Sequence, residues 1–281
     1  MLMALLTVLL VLVGGAIGGR QGALIAFGAA AVMNFWGFWF SDKAVLRHYR
    51  AQEAGPADHP KLYNMVQALS QRAGLPVPKV YIIPQKTPNA FATGRDPRHA
   101  AVAATEGIMS LLDDDELAGV MAHELTHVKN RDTLTSTIAA TFAGAIALTG
   151  QLGMVSRRGS SQRRQNPIGG LLLIIGAPLA GMLIRLAISR VREYAADAGA
   201  AQISGKPRSL ADALAKLHQG AQRIPLRHGN PAHSHLFIIH PFTGGLNNLM
   251  STHPPIAERI KRLEAMAAGG TEPLSEFRSQ Q

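Results

Sequence analysis

Between Met1 and Phe40 the chain carries one charged side chain, Arg20. Met1 to Gly19 and Gln21 to Phe40 are each long enough to cross a hydrocarbon core of about 30 Å at about 1.5 Å per residue. Stretches this apolar are hard to place in water without a large core to cover them, and the chain has only 281 residues. The first run lacks a basic leader and the second follows almost at once, so a retained helical hairpin over residues 1–40 is expected rather than a cleaved signal peptide. Trp36 and Trp39 suit an interfacial aromatic belt, and Lys43, Arg47, His48 and Arg50 follow them. By the positive-inside rule the chain from Ser41 onward, and the N-terminus, face the cytoplasm.

A second apolar pair fills residues 135–189: about Thr135 to Val155, then about Pro167 to Ser189, interrupted only by Arg185. Between them the loop Arg157–Arg164 holds four arginines and no acid. If both stretches span, this loop lands outside, against the charge preference; a re-entrant hairpin or a buried helix pair would avoid that conflict. Length and lack of charge favour spanning. Either way, residues 41–134 and 190–281 return to one side and fold together.

Composition agrees with this layout. The chain is 47% apolar but only 5% aromatic, the Ala/Leu/Ile/Val/Gly palette of membrane helices. Its formal charge of +10 comes with no nucleic-acid motif, so no nucleic-acid partner is expected. With no cysteine, a metal site has only His and carboxylate ligands to draw on. In the soluble parts, Pro76–Pro84 contains a β-branched strand and His99–Thr105 a weaker, alanine-rich one. Ser209–Leu217 reads as an amphipathic helix with Ser209 as N-cap. Pro225–His235 is loop-like and Gly269–Gln281 a frayed tail.

Within the first soluble part stands Met121-Ala122-His123-Glu124-Leu125-Thr126-His127-Val128, an H-E-x-x-H run. Leu117, Val120, Met121, Leu125 and Val128 recur at helical spacing, and Asp113 to Glu116 crowd the presumed first turn, where the helix dipole favours negative charge. On a helix, His123 and His127 share one face and can grip one zinc ion, with Glu124 beside it to handle protons. Two surface histidines on an amphipathic helix would show the same letters. A catalytic zinc needs a third protein ligand and an open position. Past the second apolar pair, Glu193 and Asp197 lie four apart. Glu193 can complete a His₂Glu site and Asp197 can take the free N–H of a ligating imidazole; a surface pair engaging Arg190 or Arg192 is the plainer alternative. Their place at the exit of an apolar helix, matching that of the H-E-x-x-H helix, favours the ligand reading.

Together with Asn89-Ala90-Phe91-Ala92-Thr93-Gly94 and Ser251-Thr252-His253-Pro254-Pro255, these features resemble the membrane-bound zinc metalloproteases of the HtpX type, related to CAAX prenyl proteases and more remotely to gluzincins. The resemblance runs nearly end to end. It implies a mainly α membrane protein with about four transmembrane or membrane-embedded helices and an α+β zincin-like protease domain on the cytoplasmic side. It implies one Zn²⁺ per chain, Glu124 as catalytic base, and His253 steadying the oxyanion. Asn89, Ala90 and Phe91 would hold substrate backbone along an edge strand. The expected activity is cleavage of unfolded or damaged proteins, membrane proteins among them, at the cytoplasmic face of a bacterial-type inner membrane, in protein quality control. A non-proteolytic scaffold or transporter component with a structural metal is the rival. Structural zinc sites normally have four protein ligands, and transport pathways need more intramembrane polar groups than Arg185.

Overall fold

The computed structural model describes residues 2–134, 190–223 and 254–269. The second apolar pair, the basic loop 157–164, the Pro225–His235 segment, His253 and the chain from 270 lie outside the described residues.

Helix α1 (Leu2–His48) breaks at Gly18 and Gly19, where Gly19 takes φ 57° and ψ −147°, a conformation essentially reserved for glycine. Its two arms fold back on each other. Asn34 Nδ2 donates to Thr7 Oγ1 at 2.8 Å, and a Cβ on Gly14 would stand 2.5 Å from the Gly22 carbonyl oxygen. The two arms thus form a helical hairpin. The arm Gly18–His48, with a mean hydropathy of 1.6, is the one described helix long and apolar enough to cross a membrane. Leu24, Ile25, Phe27, Val32 and Phe35 on it are exposed. The helix does not stop at Phe40, however. It runs on to His48 and buries Ser41, Val45 and Leu46, so the boundary expected at residue 40 is not a break in structure.

Four strands form one sheet in the order β1-β2-β4-β3: β1 (Gln52–Glu53), β2 (Lys79–Ile83), β3 (Ala90–Gly94) and β4 (Ala100–Thr105). β2 and β4 are parallel, while β3 pairs antiparallel with β4 in a register that sets Phe91 opposite Ala103. The strands expected in 76–84 and 99–105 are thus both present. Alanine is a poor strand former in isolation, but β4 lies between two neighbours and is buried throughout, where its small side chains let helices approach closely. One face of the sheet, with Ile83, Phe91, Ala101 and Ala103, packs on Val45 and Leu46 of α1. The other face carries Val80, Ala92, Val102 and Ala104 into the main core.

That core is completed by α2 (Pro60–Ala73), α3 (Glu106–Leu111), α4 (Asp114–Lys129), α5 (Arg190–Ser204), α6 (Pro207–Arg223) and α7 (Ile256–Ala267). The helix expected from Ser209 begins two residues earlier. Pro207 occupies the first turn, where its missing N–H costs nothing, and the Ser209 N–H is bonded to the Lys206 carbonyl at 3.2 Å. Ser209 is inside the helix, not its cap.

Candidate metal centre

Helix α4 starts where its sequence says it should. Asp113 accepts the Glu116 N–H at 3.0 Å and the Glu116 carboxylate accepts the Asp113 N–H at 2.9 Å, a reciprocal capping box. From there α4 runs through the middle of the domain, burying Leu117, Val120, Met121, Ala122, Leu125 and Val128 together with His123 and Glu124. Gly119, the one glycine in the helix, has a reason to be there: a Cβ would meet the Leu210 backbone at 3.1 Å. Helix α5 comes closer still. At Gly199 a Cβ would stand 2.4 Å from Thr126 Cγ2, so only glycine lets α5 lie flush against the turn that carries both histidines.

This contact sets Glu193 against the histidine pair. Glu193 Oε1 is 3.5 Å from His127 Nε2, and its Oε2 is 3.8 Å from His123 Nε2. The two Nε2 atoms are 3.2 Å apart, and one ligand atom from each of the three residues lies within 4.8 Å of the others. Behind the rings stand two more carboxylates. His127 Nδ1 pairs with Asp132 Oδ2 at 3.2 Å. His123 Nδ1 lies 3.0 Å from Asp197 Oδ1, an ion-pair contact without the alignment of a good hydrogen bond. Carboxylates at both Nδ1 atoms favour the proton there, which turns both Nε2 lone pairs inward. Once His127 gives up its second proton, three acceptors converge, a donor set that fits a cation.

Both outer carboxylates are themselves anchored. Arg259, buried to 1% exposure, grips Asp197 with two hydrogen bonds of 2.8 and 2.7 Å and approaches Glu193 Oε2 at 3.5 Å. Burial would raise the Asp197 carboxyl, but the Arg259 charge and hydrogen bonds outweigh it and hold the group below the usual carboxylate range. Arg192 Nε plays a looser version of this part for Asp132, at 3.4 Å.

Glu124 is adjacent but separate. Its Oε2 accepts the Ala92 N–H of edge strand β3 at 2.9 Å. Burial pushes its carboxyl up, against the pull of the two imidazoles. Of the strand residues expected to hold substrate, Asn89 and Ala90 are buried at the head of β3. The Phe91 ring is taken up on the opposite face, 5.6 Å from Tyr49, so it offers nothing to a cleft on the Glu124 side. What β3 presents there is backbone. His253 lies outside the described residues. Sequence reasoning missed Asp132, Arg192 and the role of Arg259. The signals available were an acid five residues after His127, an arginine next to Glu193, named above only as a surface partner, and an arginine four residues after Pro255.

The description "Peptidase family M48" matches residues 56–267, a span that contains every residue of this centre. The chain belongs to peptidase family M48. Among curated relatives, protease HtpX homologs of Paraburkholderia phytofirmans and of Burkholderia mallei are each 53% identical over 274 residues, covering 96% of this chain and 96% of theirs. Among solved structures, the crystal structure of S. mikatae Ste24p aligns with a TM-score of 0.53 at 18% identity, over 92% of this chain. The present chain spans 62% of that longer one, and the likeness is one of fold. As an M48 peptidase with a His-His-Glu group able to hold a metal ion, the protein is a metalloprotease, and its HtpX relatives together with an N-terminal helix apolar enough to serve as an anchor support a membrane one.

Proposed function

We propose that this M48 peptidase is a multi-pass inner-membrane endopeptidase, with one Zn²⁺ per chain, that cleaves unfolded or damaged membrane proteins at the cytoplasmic face as part of protein quality control. The observation that carries the reading is the convergence of His123, His127 and Glu193 beside a separate buried carboxylate, Glu124, that an edge-strand N–H holds in place. Two imidazoles and one carboxylate are a ligand set of catalytic zinc sites, which keep a fourth position open, rather than of four-ligand structural ones. The residues supporting membrane placement are the exposed apolar side chains of α1 and the basic residues that follow them.

When bound, zinc would supply Lewis acidity, lowering the pKa of a water from about 15.7 towards about 7 and polarising the scissile carbonyl. The chain's own residues do the rest. His123, His127 and Glu193 hold the ion; Asp197 and Asp132 fix which imidazole nitrogens face it. Glu124 takes the proton of the attacking water and passes it to the leaving amine. The outer edge of β3, from Asn89 to Phe91 and on to Ala92, aligns an extended substrate by its backbone. His253 shares the oxyanion charge. The pair of apolar stretches in 135–189 spans the membrane between the two halves of the protease domain, 41–134 and 190–281.

The test is Glu124→Gln in purified full-length protein. The variant should bind zinc stoichiometrically and leave an unfolded protein uncut, while the wild type cuts it and stops when a chelator is added. Near wild-type cleavage by the metal-loaded variant would overturn the mechanism.

A further inference from the structure

Two contacts fix how the cleft stands on the bilayer. The exposed apolar surface of α1 ends at Trp36, Trp39 and Phe40, aromatic residues of the kind that form an interfacial belt, and Lys43 Nζ lies 5.9 Å from the Phe40 ring. From this belt the helix continues without interruption to His48. The Arg95 guanidinium, one residue past β3, lies over the Trp39 ring at 4.7 Å. Phe91, near the start of β3, meets Tyr49 just past the end of α1. From Trp39 to Tyr49 is about 15 Å at helical rise, and from Phe91 to Arg95 is about 13 Å at strand rise. The lengths match, so β3 runs beside the end of α1 in the opposite direction, with its Gly94 end at the membrane surface.

The outer edge of β3 follows from its ladder. The Asn89 carbonyl, like Phe91 and Thr93, turns toward β4, accepting the Thr105 N–H at 2.9 Å. Alternate residues turn outward: the Ala92 N–H goes to Glu124, and the Gly94 carbonyl accepts from Thr133 Oγ1 at 3.1 Å. A chain added to this edge pairs best antiparallel to it. Because β3 descends toward the bilayer, such a chain ascends from it, N-terminus first at the membrane. Glu124 acts at the level of Ala92, three residues and hence about 10 Å beyond Arg95.

We infer that the cleft is polarised relative to the membrane: it takes extended segments that emerge C-terminal to a spanning helix and can cut them from about three residues out, at about 3.3 Å per residue. A segment leading into a span from its N-terminal side enters the same edge backwards. Close to the membrane it has no length in which to turn round; farther out it has, since loop closure becomes only slightly costlier as a linker grows. This deepens the proposed function and rests on it, through the assignment of β3 as the substrate strand and of Glu124 as the base.

The experiment uses the zinc-loaded full chain in phosphatidylcholine–phosphatidylglycerol vesicles with four single-span substrates. Each carries the same cleavable cassette in a Gly-Ser tail. The scissile bond is placed 6 or 30 residues from the span, either after it or before it. Rates are normalised to the tail fraction open to an external protease, and the cassette fused to a soluble protein is a fifth substrate. The expected result is at least tenfold faster cutting after the span than before it at 6 residues, shrinking to within threefold at 30. Equal rates at 6 residues, or a preference for the tail before the span, would overturn the inference while leaving the proposed function standing. So would cutting of the soluble fusion with neither 6-residue substrate touched. No cleavage of any of the five would overturn the proposed function, and the inference with it.

Discussion

Each imidazole of the pair has a carboxylate behind it, and each carboxylate has an arginine behind that, but the two chains differ in grip. Asp197 is held by two short hydrogen bonds from a buried Arg259, whereas Asp132 has one looser contact with a half-buried Arg192. Arg259→Met leaves Asp197 and Glu193 as uncompensated buried carboxylates. Its metal affinity, read by chelator competition on the folded fraction, should fall about 10–100-fold, the usual scale for partners behind the ligands. Arg259→Lys keeps the charge but not the paired geometry and should recover part of the loss. Unchanged affinity in Arg259→Met would mean the arginine serves packing alone. The metal-free site also makes a pH prediction. Burial alone would lower the His127 imidazole, but the Asp132 and Glu193 carboxylates raise it to about 9. A cation must therefore displace a proton, and apparent affinity should drop by about tenfold per pH unit as pH falls below about 9. The sign reverses for the metal-free fold. A group raised in the folded state contributes stability that is complete below its ordinary value and is lost as pH rises through about 9. Chelator competition and metal-free unfolding, each followed from pH 6 to 10, check the two halves separately.

Helices α4 and α5 meet through the absence of a side chain. Adding one at Gly199 drives a Cβ into Thr126, so Gly199→Ala should destabilise the protein by about 1–3 kcal/mol and weaken metal binding with it, because the same contact sets Glu193 against the histidines. Thr126→Ala in the Gly199→Ala background removes the atoms that clash and should restore most of both. Unfolding midpoints of the two singles and the double, in detergent, measure that coupling. The elements differ in how plainly the sequence announced them. α4 carried its cap residues and its apolar period, and both correspond to observed contacts. β4 was half legible, because alanine reveals nothing about a strand until its neighbours on both sides are known. β3 was not legible from residue preferences at all: five residues, three of them alanine or glycine, mark a strand only by pairing with β4. Arg259 was hidden for a different reason. Buried arginines are rare, and the partners that make this one possible lie on α5, 62 positions earlier.

At the scale of the whole molecule the protease domain is assembled from pieces separated by the second apolar pair, and its topology is open to chemistry because the chain has no cysteine. With both stretches of 135–189 spanning, a membrane-impermeant thiol reagent on intact cells should label Ser160→Cys and spare Ser110→Cys, an exposed position on α3. Ser204, though polar, is buried and bonded to the Ala200 carbonyl, which disqualifies it as a reporter. Labelling of neither cysteine until the membrane is breached would place the basic loop on the protease side. The same separation has a consequence in time. His127 leaves the ribosome about 130 residues before Arg259, which at about 5–20 residues per second is an interval of about 7–26 s. Through that interval the newborn chain has its histidines but not the arginine that locks Asp197 and steadies Glu193. If the enzyme cuts unfolded polypeptides as proposed, it is thus without its finished centre while its own unfolded segments are the nearest ones to hand.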